Sequence, residues 1–403
     1  MPPDRPKFSL LAAVRYYGWG GVGKLRLILD ELPHADVSLY GSARITGLTK
    51  DLLGLRHRFR EAPPEQSDVA LVINDTFAAN RIADLGVPVV FVDSLPYVRK
   101  TDGELPALDK IAHYCGQKYP AELLPLPNPR LRAWPDVRWI DPIVPTGRNR
   151  RGGRGIVVNI GGLRVYDVPG IDQDLADGAA ESYLKLVALP LAGCLRASGQ
   201  RVFAVCGNLS PAACAQLRTM FPECQAIGPQ TPYAFEQTLQ DADLLITAAG
   251  STTMLQALSM GLPTLLLPPQ IISQILNARV FAKPRAGTMQ WPASVLDLAE
   301  LDRQHTRGLG AMANYFYGSI AAAKDSQQIA DEMAVIIRKG VQDAPRDGVL
   351  NPDVARLGFS GASQVARLLE QTRRPASKSA PKSAPKSASE SAPKPAFKSL
   401  SGS

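Results

Sequence analysis

The feature that most constrains this chain is a rhythm that starts twice. Short apolar runs alternate with stretches of helical spacing, the pattern of a parallel α/β sheet with helices in its crossovers. Residues 8–17, 37–40, 69–73 and 87–92 read as strands, with a helix over 23–32 after the first. A stretch rich in proline, arginine and glycine follows, from Pro142 to Gly155. This is the composition of an interdomain linker. The rhythm then restarts. Strands are expected over 155–160, 201–206, 243–247 and 264–267, and helices over 182–197, 235–240, 252–260 and 274–281. Two α/β units of similar size on one linker leave a cleft between them. Sheets of this kind bind ligands beyond the carboxyl ends of their strands.

The 403 residues suffice for two such domains, and an apolar content of 45% gives each a core. The expected division is 1–145, an N-terminal Rossmann-like domain, then 146–372, a C-terminal domain including the last helices, then 373–403, a tail. The tail repeats Ser-Ala-Pro-Lys and has too little apolar surface to offset its ordering entropy, so disorder is expected there. It also explains most of the net charge of +8. Seven basic residues against Glu390 place +6 in the tail and leave about +2 on the folded part. A nucleic-acid-binding domain would carry its basic residues on the fold, so that class is disfavoured. No run approaches the ~20 apolar residues of a membrane span. The first eight residues have no signal-peptide core, and a cytoplasmic protein is expected. Cys115, Cys194, Cys206, Cys214 and Cys224 fit no zinc or redox spacing. Reduced thiols are expected, with no metal and no cofactor.

Two glycine segments follow strand ends. The first runs Gly18-Trp19-Gly20-Gly21-Val22-Gly23-Lys24-Leu25 and opens a helix. It half-satisfies two motifs. The phosphate loop needs Ser or Thr where Leu25 stands. The dinucleotide fingerprint needs an acidic residue where the second strand ends Leu39-Tyr40-Gly41-Ser42. What survives is a tight turn whose helix start offers amides to an anion in the cleft, with Lys24 as a candidate partner for a phosphate or carboxylate. The second segment, Gly161-Gly162, ends the strand at 155–160, and Arg164 beyond it is another candidate anion partner.

The most specific segment spans 241–278. A strand delivers the chain to Gly250, and Ser251, Thr252 and Thr253 then stand at a helix start, where hydroxyls and free amides suit a diphosphate without a metal. Gln256 lies one turn further, within reach of ribose hydroxyls. After Pro268-Pro269, residues Gln270, Ser273 and Gln274 open the next helix and are candidates to read a sugar.

This segment resembles the donor-binding region of GT-B glycosyltransferases. Gly250, Thr253, Gly261, Pro263, Gln274, Asn277 and Ala278 match that pattern in order. Gln256 replaces the family's ribose-binding glutamate, and Ser273 replaces the aspartate of its Asp-Gln pair. The resemblance implies a GT-B fold, α/β with two Rossmann-like domains facing a central cleft. It implies a UDP-sugar as substrate, with a small-molecule acceptor. Four shorter motifs, at 18–25, 92–97, 158–162 and 268–274, look like those of cytosylglucuronate synthases. That family joins glucuronate from UDP-glucuronate to cytosine in nucleoside antibiotic biosynthesis.

Inverting transfer needs a group that orients or deprotonates the acceptor and a clamp on the leaving diphosphate. The histidine that many GT-B enzymes place on the first loop is absent here. Asp93, at the end of strand 87–92, and Asp75, after Asn74, are the catalytic candidates. The competing readings are an epimerase or hydrolase of the same fold and a nucleotide-sugar-binding protein without chemistry.

Overall fold

The computed structural model describes residues 7–15, 19–41, 58–60, 63, 66–99, 101–119, 128–145, 150–161, 163, 170–281, 288–345 and 356–373. Two parallel sheets carry them. The first contains β1 (Phe8–Val14), β2 (Ala35–Tyr40), β3 (Arg58–Arg60), β4 (Val69–Ile73), β5 (Val89–Asp93), β6 (His113–Gln117) and β7 (Val137–Ile140), in the order β3-β2-β1-β4-β5-β6-β7. The second contains β8 (Ile156–Asn159), β9 (Val202–Cys206), β10 (Ala226–Gly228), β11 (Leu244–Ala248) and β12 (Thr264–Leu267), in the order β10-β9-β8-β11-β12. Every pairing is parallel. The central strands therefore need apolar residues on both faces, and all of β4 and the first four residues of β5 are fully buried aliphatic or aromatic residues.

Each sheet reverses its strand order once, between β1 and β4 and between β8 and β11. At such a point two crossovers leave in opposite directions and open a crevice at the strand ends. The helices that matter for it are α1 (Trp19–Asp30), after β1, and α2 (Thr76–Asp84), after β4. Further along the chain come α3 (Pro129–Ala133), α4 (Gln173–Tyr183), α5 (Leu189–Ala197), α6 (Pro211–Met220) and α7 (Pro232–Asp241). After β11 comes α8 (Ser251–Ser259), and after β12 comes α9 (Ile272–Phe281). Then follow α10 (Leu298–Thr306), α11 (Leu309–Ala322), α12 (Gln327–Gln342) and α13 (Gly361–Thr372). Start signals are explicit. Ser210 and Thr231 cap α6 and α7 ahead of Pro211 and Pro232, and Asp172 and Asp297 cap α4 and α10.

The last helix corrects the expected boundary. α13 does not join the C-terminal domain. Its Val365, Ala366 and Leu369 are buried in the cluster beneath β1, β4 and β5, together with Leu25 and Ile28 of α1. The chain thus returns to the first sheet at Gly361–Thr372. Asp141, just after β7, holds the returning segment: it accepts from Ser360 Oγ at 2.6 Å and from Lys118 Nζ at 2.7 Å, and its backbone N–H donates to Gln364 Oε1 at 2.8 Å. Partial burial works against the Asp141 carboxylate, but these hydrogen bonds outweigh it and keep the group below its ordinary range. Gly361 is required at this crossing, because a Cβ there would lie 2.0 Å from the Asp141 carbonyl oxygen. Leu369→Ala should accordingly cost about 2–5 kcal/mol, since it empties a fully buried site. A denaturant titration followed by tryptophan fluorescence measures it.

The tail from residue 374 lies outside the described residues. No helix among the described residues is long and apolar enough to cross a membrane. All five cysteines are free. Burial pushes the thiols of Cys115 and Cys206 up to about 12.

Candidate functional site

The two crevices face each other across one cavity of about 690 Å³. Its wall collects both switch points. Arg15 stands at the end of β1 and Asn74 at the end of β4. Asn159 and Gly161 stand at the end of β8, and Ala248 and Gly250 at the end of β11. The expected cleft is therefore present, between the carboxyl ends of two sheets.

The donor candidates largely meet there. Gly250, Ser251, Thr252, Thr253, Gln256, Ser273, Gln274 and Gly161 all line the cavity. Gly250 is the N-cap of α8, so the free amides of the first turn and three hydroxyl side chains share one end of the helix. Gln274 is held in place: its Oε1 accepts from the Gln270 backbone N–H at 2.7 Å and its Nε2 donates to the Gly161 carbonyl at 3.4 Å. The Pro268-Pro269 turn before it is pinned from behind, by Tyr183 Oη on the Pro268 carbonyl at 2.9 Å and by Trp291 Nε1 on the Pro269 carbonyl at 2.7 Å. Gln270 is a correction. Its side chain is buried and does not line the cavity. Gly162 and Arg164 lie outside the described residues.

Of the N-terminal loop, Gly20, Gly21, Gly23 and Lys24 line the cavity, and Gly18 lies outside the described residues. Here the two halves touch. Lys24 Nζ donates to Thr252 Oγ1, and a Cβ on Gly20 would come within 2.8 Å of the same oxygen. A second contact ties the halves further along: Tyr97 Oη donates to Asn277 Oδ1, and Asn277 Nδ2 donates to the Ala249 carbonyl at 2.7 Å. That chain of bonds ends on the residue before Gly250. Burial holds the Tyr97 hydroxyl well above its ordinary value, with the nearby Asp93 charge adding to it, so it stays a donor.

Neither catalytic candidate faces the cavity. Asp93 is fully buried and saturated. Its Oδ2 accepts from Arg99 Nε at 2.9 Å and from Tyr114 Oη at 2.6 Å, and its Oδ1 accepts from the Leu95 N–H at 3.0 Å. It organises the 94–99 loop and is not presented to a substrate. Asp75 caps α2 through the Ala78 N–H at 3.0 Å and pairs with Arg15 at 3.7 Å. It sits behind Arg15 and Asn74, which do line the wall.

Sequence reasoning missed several wall residues. Asn74 has φ of 59°, rare for a residue other than glycine, and is held there by Ser94: its Nδ2 donates to Ser94 Oγ at 2.9 Å and its Oδ1 accepts from the Ser94 N–H at 2.9 Å. Asn208, Gln230, Tyr233 and Glu236 come from the ends of β9 and β10 and the start of α7. The signal available was the Gly-Pro-Gln-Thr-Pro stretch at 228–232, a cap and proline at a strand end. Glu236 is notable, since it brings a carboxylate to a wall where Gln256 replaces the expected one. Among the described residues, no group of three or more His, Cys, Asp or Glu is placed to hold a metal ion.

Residues 197–333 match the glycosyltransferase family 28 C-terminal domain. That span runs from the end of α5 through β12 into α12 and contains every donor candidate from 250 to 274. No curated protein matches the sequence. Among solved structures, the spinosyn rhamnosyltransferase SpnG is similar at 15% identity and a TM-score of 0.50, over 90% of this chain and 100% of that one. MurG of Acinetobacter baumannii is similar at 14% identity and a TM-score of 0.47, over 90% and 99%. UGT2 of Phytolacca americana is similar at 14% identity and a TM-score of 0.46, over 91% and 100%. The fold is of the GT-B type, and residues 197–333 within it are those that match the glycosyltransferase family 28 C-terminal domain.

Proposed function

We propose that this chain is a glycosyltransferase that moves a sugar, glucuronate in the reading the motifs favour, from a uridine diphosphate donor to a small acceptor such as cytosine. One observation carries the donor assignment: a helix start with three hydroxyl residues opens into a cavity between the two sheets, facing a lysine from the other half. The amides and hydroxyls at 250–253 take the diphosphate, and the helix dipole stabilises the charge that builds on it as the glycosidic bond breaks. Gln256 and Glu236 are assigned to the ribose, and the Gln230–Tyr233 segment to the base. Ser273 and Gln274 read the sugar.

The finer assignment has its own support. The four short motifs are separated by up to about 250 residues in sequence, yet members of each, among them Gly20, Ser94, Asn159 and Ser273, line this one cavity. On the acceptor side, Asn74 and Ser94 offer amide and hydroxyl groups. Asp75 follows Asn74 directly and is held back by Arg15. An aromatic ring nitrogen needs less proton removal than a sugar hydroxyl, so hydrogen-bonding residues suffice to orient it. A glucuronate carboxylate would meet Arg15 or Lys24 on the wall.

The experiment is incubation of the full chain with a panel of nucleotide sugars, with and without cytosine, followed by mass spectrometry. Transfer gives a product containing both sugar and cytosine. Free sugar and nucleotide in equal amounts without acceptor would replace the reading with hydrolysis. No turnover of any donor would leave a binding protein.

A further inference from the structure

A lysine is among the least often buried side chains, and Lys24 is 1% exposed. It rises from α1, in the N-terminal half, and spends its hydrogen bond on Thr252 Oγ1 in the first turn of α8, in the C-terminal half. An ammonium has three donors, and pointing one at the positive end of a helix is unfavourable unless an anion stands there too. Among the described residues, the elements packed against Lys24 place no carboxylate on it. α8 carries no charged side chain. On α1 itself, Asp30 pairs with Arg26 at 2.7 Å. At the end of β1, Arg15 pairs with Asp75 at 3.7 Å. α13, packed on the other side of α1, carries Arg367 and Glu370, and Glu370 pairs with His34 at 3.2 Å. Glu236 lines the same cavity from α7. None of these charges moves the Lys24 amine. Burial alone pulls it from 10.5 down to about 7.

We propose that Lys24 is a proton-loaded clamp on the donor's diphosphate. Above neutral pH it is mostly uncharged against Thr252; it takes up a proton from solvent as the diphosphate arrives, and as an ammonium grips the phosphate oxygens opposite the amides of α8. The only bond formed is the N–H bond to the incoming proton, made from the amine lone pair. One proton enters with the nucleotide and returns to solvent when uridine diphosphate leaves. Because Lys24 belongs to the other half of the molecule, the same event that charges it also fastens the two halves across the leaving group. The inference rests on the donor reading above and adds to it the group that meets the negative charge and the proton that accompanies it.

The test is titration calorimetry of the full chain with uridine diphosphate, in buffers of different ionisation enthalpy between pH 7.5 and 9. That window lies above the titration of a terminal phosphate near ~6. Above a free-state value near 7, binding should take up close to one proton and weaken by about tenfold per pH unit. Lys24→Met should bind more weakly at pH 7.5, with no uptake and no slope. Lys24→Arg, which stays charged, should also show no uptake but keep a pH-independent affinity. Tight binding by the parent chain with no proton uptake, or uptake that survives in Lys24→Met, overturns the clamp and leaves the donor reading standing. Absence of any uridine diphosphate binding by the parent chain overturns both.

Discussion

Asp93→Ala is expected to unfold the N-terminal half more readily by about 3–5 kcal/mol, the cost of removing one partner from a buried ion pair. For a domain of this size that corresponds to a fall of roughly 6–20 °C in melting temperature. Asp93 is fully buried, and its carboxylate receives Arg99, Tyr114 and the Leu95 amide. Arg99 is itself 4% exposed, so truncation leaves a guanidinium in the interior without this counter-charge. Burial and the Asp93 charge together hold the Tyr114 hydroxyl well above its ordinary value, so it too remains a donor in need of an acceptor. Asp93→Asn keeps the volume and two acceptor directions, and should cost less. The functional consequence runs through the loop. Ser94 and Leu95 line the cavity, and Tyr97 reaches Asn277, so slackening at Asp93 loosens one wall and a hydrogen bond between the halves. Turnover in Asp93→Asn should fall in step with melting temperature. An Asp93→Asn protein that melts with the parent yet transfers no sugar, while still binding the donor, would return Asp93 to the chemistry.

The same residue shows where sequence stops being informative. A carboxylate at the end of a parallel strand looks alike whether it faces a cleft or an arginine six residues on. Only the 94–99 turn decides, and its path is a tertiary fact. The start of α8 was legible because its chemistry is local: a glycine cap, three hydroxyl residues and a following apolar face occupy consecutive positions. The strands β1, β4, β5, β8, β9, β11 and β12 were legible as aliphatic runs. β6 was not, since His113, Gly116 and Gln117 interrupt any run. β7 is an edge strand with Arg138 and Trp139 exposed, and β10 has only three residues. α13 shows an apolar face made by Val365, Ala366 and Leu369. Such a face says that a helix packs without saying on which sheet, and the return to the first domain depends on Asp141 and Gly361 meeting across 220 residues. Asn74 is legible least of all, because its left-handed backbone is held by a side-chain pairing with Ser94.

Ser251→Pro should separate the donor site from the fold. Ser251 is the first residue of α8, where proline's fixed φ is compatible with the helix and its missing N–H breaks no intrahelical bond. Proline also restricts the residue before it to extended backbone, and Gly250 already has φ −70° and ψ 125°. The substitution therefore removes one amide donor and one hydroxyl from the cavity wall at little conformational cost, and the melting temperature should stay within a degree or two of the parent. A hydrogen bond to a charged group contributes about 1.5–3 kcal/mol, so loss of the amide alone should weaken uridine diphosphate binding roughly 10–150-fold, with the hydroxyl's share added to it. Ser251→Ala, which keeps the amide, should lose only the hydroxyl's smaller share. The ordering of the two variants is the informative result, because it assigns the anion to the backbone of a helix start, as the dipole argument requires. If Ser251→Pro bound uridine diphosphate as the parent does, the diphosphate would have to lie elsewhere on the wall. The match of Gly250 to Thr253 with the donor pattern would then reflect only how a parallel strand turns into a helix.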